Sequence, residues 1–277
     1  MRIRVAVTTA LLTLTQVAGA QSLGKMLGDD FKHAGEDVWS IWTSPFDAKG
    51  RDWAIVAAAL GITGVSILAD QAIADWAVRN DSNFVFRAIK PIRRGGKAYT
   101  GKYVVPPIAA MYLIGLATRN QGMRDFVLGC GSSWMSQSLA RKAVYLLVGR
   151  ARPDTMPNNP HHWTFPGSSE WQLHSFPAGH FANIMSCVSF WNHRFKWGAA
   201  EPALYALATA VGVGRIADRG HWFSDHVIGG IVGYAIGREV ARRSVKRSGA
   251  LGGAGGSAAI NLSPSPDGVT FSVGWTF

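Results

Sequence analysis

The chain has 277 residues, of which 28 are Lys or Arg and 17 are Asp or Glu, so its formal net charge is +11. Charged residues make up 16% of the sequence, compared with about 25% in an average soluble domain. This apolar composition excludes a disordered chain, and the presence of only two cysteines excludes a small disulfide-rich scaffold. A mean hydropathy of +0.09 leaves two classes open, a buried helical globule and a membrane protein with weak spans.

The first 20 residues have the three parts of an export signal. Arg2 and Arg4 form a basic start, residues 5–17 are mostly apolar, and residues 18–20 (Ala-Gly-Ala) are typical of a cleavage site. We therefore expect cleavage before Gln21 and export to a bacterial-type cell envelope, in the periplasm or associated with the membrane. The basic balance that remains favours anionic lipid headgroups or phosphorylated substrates, and without a basic helix interleaved with aromatic residues nucleic acid is not an expected partner.

Residues 22–43 are predicted to form an amphipathic helix that either covers the core or lies on a membrane surface. Ser44-Pro45 would end it. Its apolar positions recur every three or four residues: Leu23, Leu27, Phe31, Ala34, Val38 and Ile41.

Six apolar stretches follow, and their small and straight-chain residues predict helices. None reaches the roughly 18 uncharged residues that would identify a membrane span, so whether the helices cross a membrane stays open. Glycines at 229, 233 and 237 would allow two helices to approach closely. The stretches are Trp53–Ala69, Tyr103–Thr118, Phe126–Gly149, Phe181–Asn192, Pro202–Gly214 and Val227–Gly237.

The chain is therefore divided into an export signal (1–20), an amphipathic segment (21–52), a helical domain (53–243), a Gly-rich linker (244–257) and a C-terminal β-hairpin (258–277). A long loop at 154–176, rich in Pro, Trp and His, is expected to serve function. Cys130 and Cys187 each lie in an apolar stretch, and their spacing does not decide whether they pair.

Three polar clusters flank the predicted helices. Arg150 and Arg152 follow the third helix, Gly179 and His180 open the fourth, and Arg215, His221 and Asp225 lie between the fifth and the sixth. If consecutive helices run antiparallel, all three clusters meet at one end of the bundle.

These residue types suit phosphate chemistry. Guanidinium groups match phosphate oxygens, and the backbone amides at a helix start bind anions. His221 and Asp225 are four residues apart, so the carboxylate could orient the imidazole and leave its other nitrogen free to attack. His180 could protonate a leaving oxygen.

The three clusters resemble the motifs of the type-2 phosphatidic acid phosphatase and vanadium haloperoxidase superfamily. Its pattern is Lys, six residues, Arg-Pro; then Pro-Ser-Gly-His; then Ser-Arg, five residues, His, three residues, Asp. Here Arg152-Pro153 matches the first motif, Pro177 with Gly179-His180 the second, and Arg215, His221 and Asp225 the third with both gaps intact.

The resemblance implies an all-α fold with a six-helix core over about residues 50–240, flanked here by the amphipathic helix and the hairpin. It implies that His221 is the nucleophile, that Asp225 orients it, and that His180 is the acid and then the base. Arg152, Arg215 and the Gly179 amide would bind the phosphoryl oxygens. The family's phosphatases need no metal, and no cofactor is expected.

Three positions depart from the pattern. Tyr145 stands at the first-motif lysine, Ala178 at the second-motif serine and Gly214 at the third-motif serine. Lys142 lies near the lost lysine, but helix side chains lean toward the N-terminus and away from the site. We therefore expect Arg150 to supply the missing charge.

The expected activity is metal-independent hydrolysis of a phosphomonoester or a pyrophosphate, with a lipid as one candidate substrate, at a membrane surface or the inner membrane. Two alternatives remain. One is a vanadium haloperoxidase, which uses the same anion pocket, and the other is a non-catalytic envelope protein that binds phosphorylated ligands, motivated by Tyr145 and Ala178. The substrate and the oligomeric state are not decided by the sequence.

Overall fold

The computed structural model describes residues 22–94, 104–250, 257–265 and 268–276. The predicted export signal lies outside the described residues, as do residues 251–256 of the predicted linker. Most of the described chain is helical, which confirms the all-α class.

The described N-terminal part of the chain is a series of helices. Helix α1 matches the predicted amphipathic helix; the Ser22 hydroxyl caps its first turn, and a 3₁₀ turn containing Pro45 follows its end. The helices are α1 (Leu23–Thr43), α2 (Gly50–Ser66), α3 (Asp70–Arg79), α4 (Phe84–Arg94) and α5 (Val105–Ala117). Sequence reasoning did not predict α3 and α4, because each has only 10 or 11 residues and lacks a long apolar run.

The C-terminal part contains the helices that carry the three polar clusters. They are α6 (Gln121–Leu147), α7 (Gly179–Phe195), α8 (Ala200–Ala217) and α9 (Phe223–Ala250). In the described residues, each of the six predicted apolar stretches is therefore helical over most of its length. Helix α9 extends well beyond its apolar stretch and includes the first part of the predicted linker.

Helices α7 and α9 pack with their backbones in close contact. A Cβ atom on Gly233 would lie 2.5 Å from the carbonyl oxygen of Ala182, and one on Gly237 would overlap the carbonyl of Ser186. The glycines at four-residue spacing thus lie in the helix contact, as expected for small residues at that spacing. This contact fixes the start of α7 against the start of α9.

The helical domain also contains a disulfide bond and a short pair of strands. Cys130 and Cys187 form a disulfide between α6 and α7, which answers the question that the sequence left open. In the loop after α6, β1 (Gly149–Arg150) pairs antiparallel with β2 (Trp163–Thr164).

The C-terminal segment forms the predicted hairpin. Strand β3 (Ser257–Ser265) pairs antiparallel with β4 (Gly268–Thr276), and the register brings Ile260 opposite Val273.

The outer wall of α2 is apolar and exposed. The helical stretch Gly50–Arg79 has the length and apolar composition to cross a membrane, and 11% of its most apolar window is buried. The side chains of this wall are between 45% and 70% exposed: Trp53, Ile55, Val56, Leu60, Ile62 and Val65.

Candidate active site

The three polar clusters meet at one end of the bundle, and backbone hydrogen bonds join them. The Ala178 amide before α7 donates to the Asp225 carbonyl in α9 at 3.0 Å. The Ser175 amide donates to the Arg150 carbonyl at 3.1 Å. The indole Nε1 of Trp222 donates to the Ala151 carbonyl at 2.8 Å. The antiparallel course of the helices therefore brings the clusters together, as the sequence predicted.

His221 is buried and its tautomer is fixed. Its Nδ1 lies 2.7 Å from the Ser175 carbonyl oxygen, and since a carbonyl can only accept, Nδ1 carries the proton and Nε2 the lone pair. Burial, followed by the charges of Arg152, His226 and Arg215, lowers the pKa of His221 well below its usual value. The imidazole is therefore neutral at pH 7, and its Nε2 has the lone pair that a nucleophile needs.

Asp225 acts on His221 through Ser175, which corrects the expectation of a direct contact. Its carboxylate accepts from the Ser175 hydroxyl at 2.5 Å and from the Trp222 amide at 2.8 Å. In the described contacts, the hydrogen-bond partner of the His221 ring is the Ser175 carbonyl. At the start of α9, the carboxylate lies over the Trp222 amide directly before the helix. Asp225 thus positions Ser175, and Ser175 positions His221.

Arg150 is a buried structural residue, which corrects the expectation that it binds phosphate. Its Nη1 donates to Asp225 and to Ser224 at 2.6 and 2.8 Å. Its Nη2 donates to Asp70 and to the Pro160 carbonyl at 2.6 and 2.7 Å, and its Nε to the same carbonyl at 3.1 Å. With all five N–H groups engaged, no donor remains for a phosphate.

Asp70 completes this buried network and was missed by sequence reasoning. It lies at the start of α3, fully buried, and accepts from both the amide and the hydroxyl of Ser224 at 2.7 Å. Its signal in the sequence was a single carboxylate at the end of the apolar stretch Trp53–Ala69. The network ties α3, the loop after α6 and the start of α9 together.

Arg152 and Arg215 carry positive charge close to His221. Arg152 lies 5.1 Å from the Trp171 ring and donates to the His174 carbonyl at 3.3 Å, while its Nε is buried with no hydrogen-bond partner among the described residues. Burial is the main cause that lowers the pKa of Arg152, and the positive charge of Arg215 adds to it in the same direction. Two guanidinium groups placed this closely are suited to an anion between them.

The first turn of α7 opens into the same place. No side chain caps this helix end, since Ala178 stands at the cap position, and uncapped first-turn amides bind anions. The next residues are Gly179 and His180, and the His180 side chain is exposed at the edge of the site. Although part of His180 is exposed, the protein atoms around its imidazole remove some of its hydration. This loss, followed by the charges of Arg215, Arg141 and Arg152, lowers the pKa of His180 to about 4.

His226 is a further histidine at the site that sequence reasoning missed. Its Nδ1 lies 2.8 Å from the Trp222 carbonyl, and its ring lies edge-on to His221 with the ring centres 5.6 Å apart. Burial lowers its pKa to about 4. In the sequence, the one indication of a role for His226 is that it directly follows Asp225, and no motif spacing assigns a role to that position.

Tyr145, which stands at the lysine position of the first motif, has structural contacts. It is buried, stacks on His174 with ring centres 4.2 Å apart, and donates to the Pro177 carbonyl at 3.2 Å. Lys142, near the lost lysine, is exposed. Within the described ranges, no group of three or more His, Cys, Asp or Glu residues is placed to hold a metal ion.

Comparison with known protein families gives a match to the PAP2 superfamily over residues 127–248. This range includes helices α6 to α9 almost completely and all three polar clusters. Comparisons with curated proteins and with solved structures give no match.

Proposed function

We propose that the protein is a metal-independent phosphatase, because residues 127–248 match the PAP2 superfamily, which contains phosphatases and haloperoxidases. The substrate would be a phosphomonoester or a pyrophosphate. The observation that carries the proposal is the state of His221, a neutral imidazole whose Nδ1–H is held by the Ser175 carbonyl. Its Nε2 lone pair lies where the positive charge for binding a phosphoryl group is concentrated.

In the first step, Nε2 of His221 attacks phosphorus and the bond from phosphorus to the leaving oxygen breaks. Arg152, Arg215 and the first-turn amides of α7, including that of Gly179, hold the phosphoryl oxygens and stabilise their charge. His180 donates a proton to the leaving oxygen. The free protein holds the pKa of His180 at about 4, so the bound phosphate dianion must raise it by offsetting the surrounding arginine charges.

In the second step, water attacks the phosphohistidine and the bond between Nε2 and phosphorus breaks. His180, now neutral, accepts the proton of the attacking water. Inorganic phosphate leaves, and His221 returns to the Nδ1–H tautomer because the Ser175 carbonyl still accepts that proton.

The proposal is tested with the purified protein and p-nitrophenyl phosphate, phosphatidic acid and a prenyl pyrophosphate as substrates. We expect turnover that resists EDTA and is inhibited by vanadate, and we expect His221→Ala to abolish it. His33→Ala, a substitution of a half-buried histidine on α1, is the matched control and should leave turnover unchanged. Absence of turnover on every phosphate ester would refute the phosphatase.

The same assays separate the two alternatives. Oxidation of bromide by peroxide in the presence of vanadate would identify a haloperoxidase. Binding of phosphate or of a phosphorylated ligand without turnover would identify the non-catalytic binder. Ala178 gives the second alternative its physical basis, because the hydroxyl donor of the family motif is absent at the cap of α7.

We further propose that the mature protein is exported and contacts a lipid surface, with a lipid phosphate as a candidate substrate. The disulfide between Cys130 and Cys187 is typical of an oxidising compartment. The exposed apolar wall of α2 is of the kind that contacts lipid. Both features support the proposal independently of the predicted export signal.

A further inference from the structure

The first motif of the site lacks its lysine, and the structure offers another cation in its vicinity. Position 145 is a tyrosine, and its hydroxyl is engaged with the Pro177 carbonyl at 3.2 Å. A buried neutral side chain cannot supply the charge of a lysine. Another positive side chain near Tyr145 would therefore have to supply this charge at the phosphate-binding end of the bundle.

Arg141 lies one helical turn before Tyr145 on the same face of α6. Its guanidinium centre is 5.5 Å from the centre of the Tyr145 ring, which is a cation–π contact. The tyrosine thus holds Arg141 beside the position that the family lysine would take.

Gly179 shows how closely Arg141 approaches the uncapped start of α7. A Cβ atom on Gly179 would lie 2.6 Å from Cδ and 2.8 Å from Cζ of Arg141, and closer still to Nη1. The guanidinium therefore lies against the backbone whose amides open into the site, and it would have to move if residue 179 carried a Cβ atom.

The charge of Arg141 and its unpaired Nε–H donor both agree with a position beside the start of α7. Its charge is among the causes that lower the pKa of His180, after burial and Arg215. Its Nε is buried and has no hydrogen-bond partner in the described part of the chain. A buried donor without a partner is costly, and a phosphate oxygen would satisfy it.

The two other candidates for the missing charge do not fit. Lys142 is exposed, and its side chain leans toward the N-terminus of the helix, away from the site. Arg150 has all of its donors engaged by Asp70, Pro160, Ser224 and Asp225.

We propose that Arg141 is a phosphate-binding residue, which supplies from one turn earlier the positive charge that Tyr145 removed from the first motif. This inference rests on the proposed phosphatase function. Arg141 would complete a set of three guanidinium groups with Arg152 and Arg215 around the phosphoryl oxygens. Its role is to bind and stabilise charge, and it exchanges no proton, because a guanidinium stays protonated.

The first experiment compares Arg141→Ala with Lys142→Ala, its exposed neighbour on the same helix. With p-nitrophenyl phosphate, Arg141→Ala should lower kcat/KM by about 10²–10³-fold, the range for removing one transition-state donor. It should also weaken inhibition by vanadate, while Lys142→Ala changes neither. Arg141→Ala with unchanged kcat/KM and vanadate inhibition would overturn the inference.

A rescue experiment separates phosphate binding from a structural role. Adding Tyr145→Lys to Arg141→Ala restores the family arrangement and should recover activity. Guanidinium ion added at millimolar concentration to Arg141→Ala should also recover activity, which keeps the test decisive if the double variant does not fold. An activity loss that neither treatment reverses would mean that Arg141 acts only in packing, against the inference.

Failure of the proposed function would be seen separately. In that case the wild-type protein itself shows no turnover. The inference about Arg141 would then be tested by calorimetric titration with inorganic phosphate, where Arg141→Ala should bind at least tenfold more weakly than Lys142→Ala. Equal affinities of the two variants would overturn it.

Discussion

Asp70, Arg150 and Asp225 form a fully buried ion-paired network beneath His221, with both contacts of Arg150 to the carboxylates at 2.6 Å. Buried charges are tolerated only when their partners compensate for lost hydration. The network therefore has a positioning role: Asp225 holds Ser175, and the Ser175 carbonyl holds the histidine tautomer.

Removing the central charge of this network should destabilise the protein strongly. We expect Arg150→Met to lower the free energy of unfolding by about 3–5 kcal/mol, because it leaves two carboxylates buried without their cation. Denaturant titration followed by circular dichroism measures the change. Arg242→Met, which breaks an exposed pair with Glu239, should cost less than about 1 kcal/mol. Similar losses in the two variants would contradict a stabilising role for the buried network.

His226 makes stability depend on pH in a defined range. Its pKa is lowered from 6.5 to about 4, so between these values the unfolded chain binds a proton that the folded protein does not. The stability is therefore fully present above pH 6.5 and is lost as the pH falls toward 4. Over this range the contribution is about 3 kcal/mol, at about 1.4 kcal/mol per pKa unit.

We expect His226→Leu to reduce the acid dependence of unfolding. The free energy of unfolding would be measured for both proteins at several pH values between 7 and 4. The wild type should lose stability more steeply than the variant, because the variant lacks this titrating group. Parallel curves for the two proteins would show that His226 does not titrate as its burial implies.

At the scale of elements, the contact between α7 and α9 determines the geometry of the site. The start of α7 supplies Gly179 and His180, and the start of α9 lies next to His221 and carries Asp225. Glycines allow the two backbones to touch, and a displacement of either helix would move the uncapped amides away from the histidine. A small change in this contact should therefore affect both stability and activity.

Gly237→Ala tests the contact. Its Cβ would overlap the Ser186 carbonyl and lie 2.8 Å from Ser189 Cβ, so we expect a loss of about 1–3 kcal/mol in the free energy of unfolding. Gly131→Ala in α6, where no atom lies within 4 Å, should instead stabilise the protein by about 0.5–1 kcal/mol, since alanine is the better helix former. Stabilisation by both substitutions would refute the close contact.

For the whole molecule, the distribution of apolar residues differs from that of a typical soluble globule. The end of the bundle that holds the candidate site is polar and buried, whereas the wall of α2 exposes Trp53, Leu60, Ile62 and other large side chains to the outside. Burying one such side chain contributes about 1.5–3 kcal/mol. A lipid surface would bury several at once.

We expect the purified protein to bind phospholipid vesicles through this wall. Replacing Ile55, Ile62 and Val65 together by Gln should weaken vesicle binding by at least about tenfold. A tenfold change in affinity corresponds to about 1.4 kcal/mol, which is less than the burial of one such side chain contributes. Flotation with vesicles of neutral and anionic lipids measures the effect. Leu207→Gln, at an exposed apolar residue of α8, is the control, and an equal loss in the control would argue against a specific lipid-facing wall.

The sequence by itself determined the helical class, the six apolar helices, the hairpin and the meeting of the three clusters. These features follow from local patterns: apolar periodicity sets the helices, and an antiparallel course of consecutive helices brings their polar ends together. His221, Arg152, Arg215, Gly179 and His180 lie at one end of the bundle for this reason. Their proposed roles remain predictions until the assays are done.

Only the tertiary structure decided which charges face the site and which lie beneath it. Arg150 and Arg152 are two residues apart, yet Arg150 is engaged by Asp70 and Asp225 while Arg152 retains an unpartnered donor. Arg141 approaches Gly179 across a helix contact that no sequence spacing encodes. The physical reason is that local periodicity fixes the direction of a side chain from its own helix, whereas the partner it meets depends on how distant helices pack.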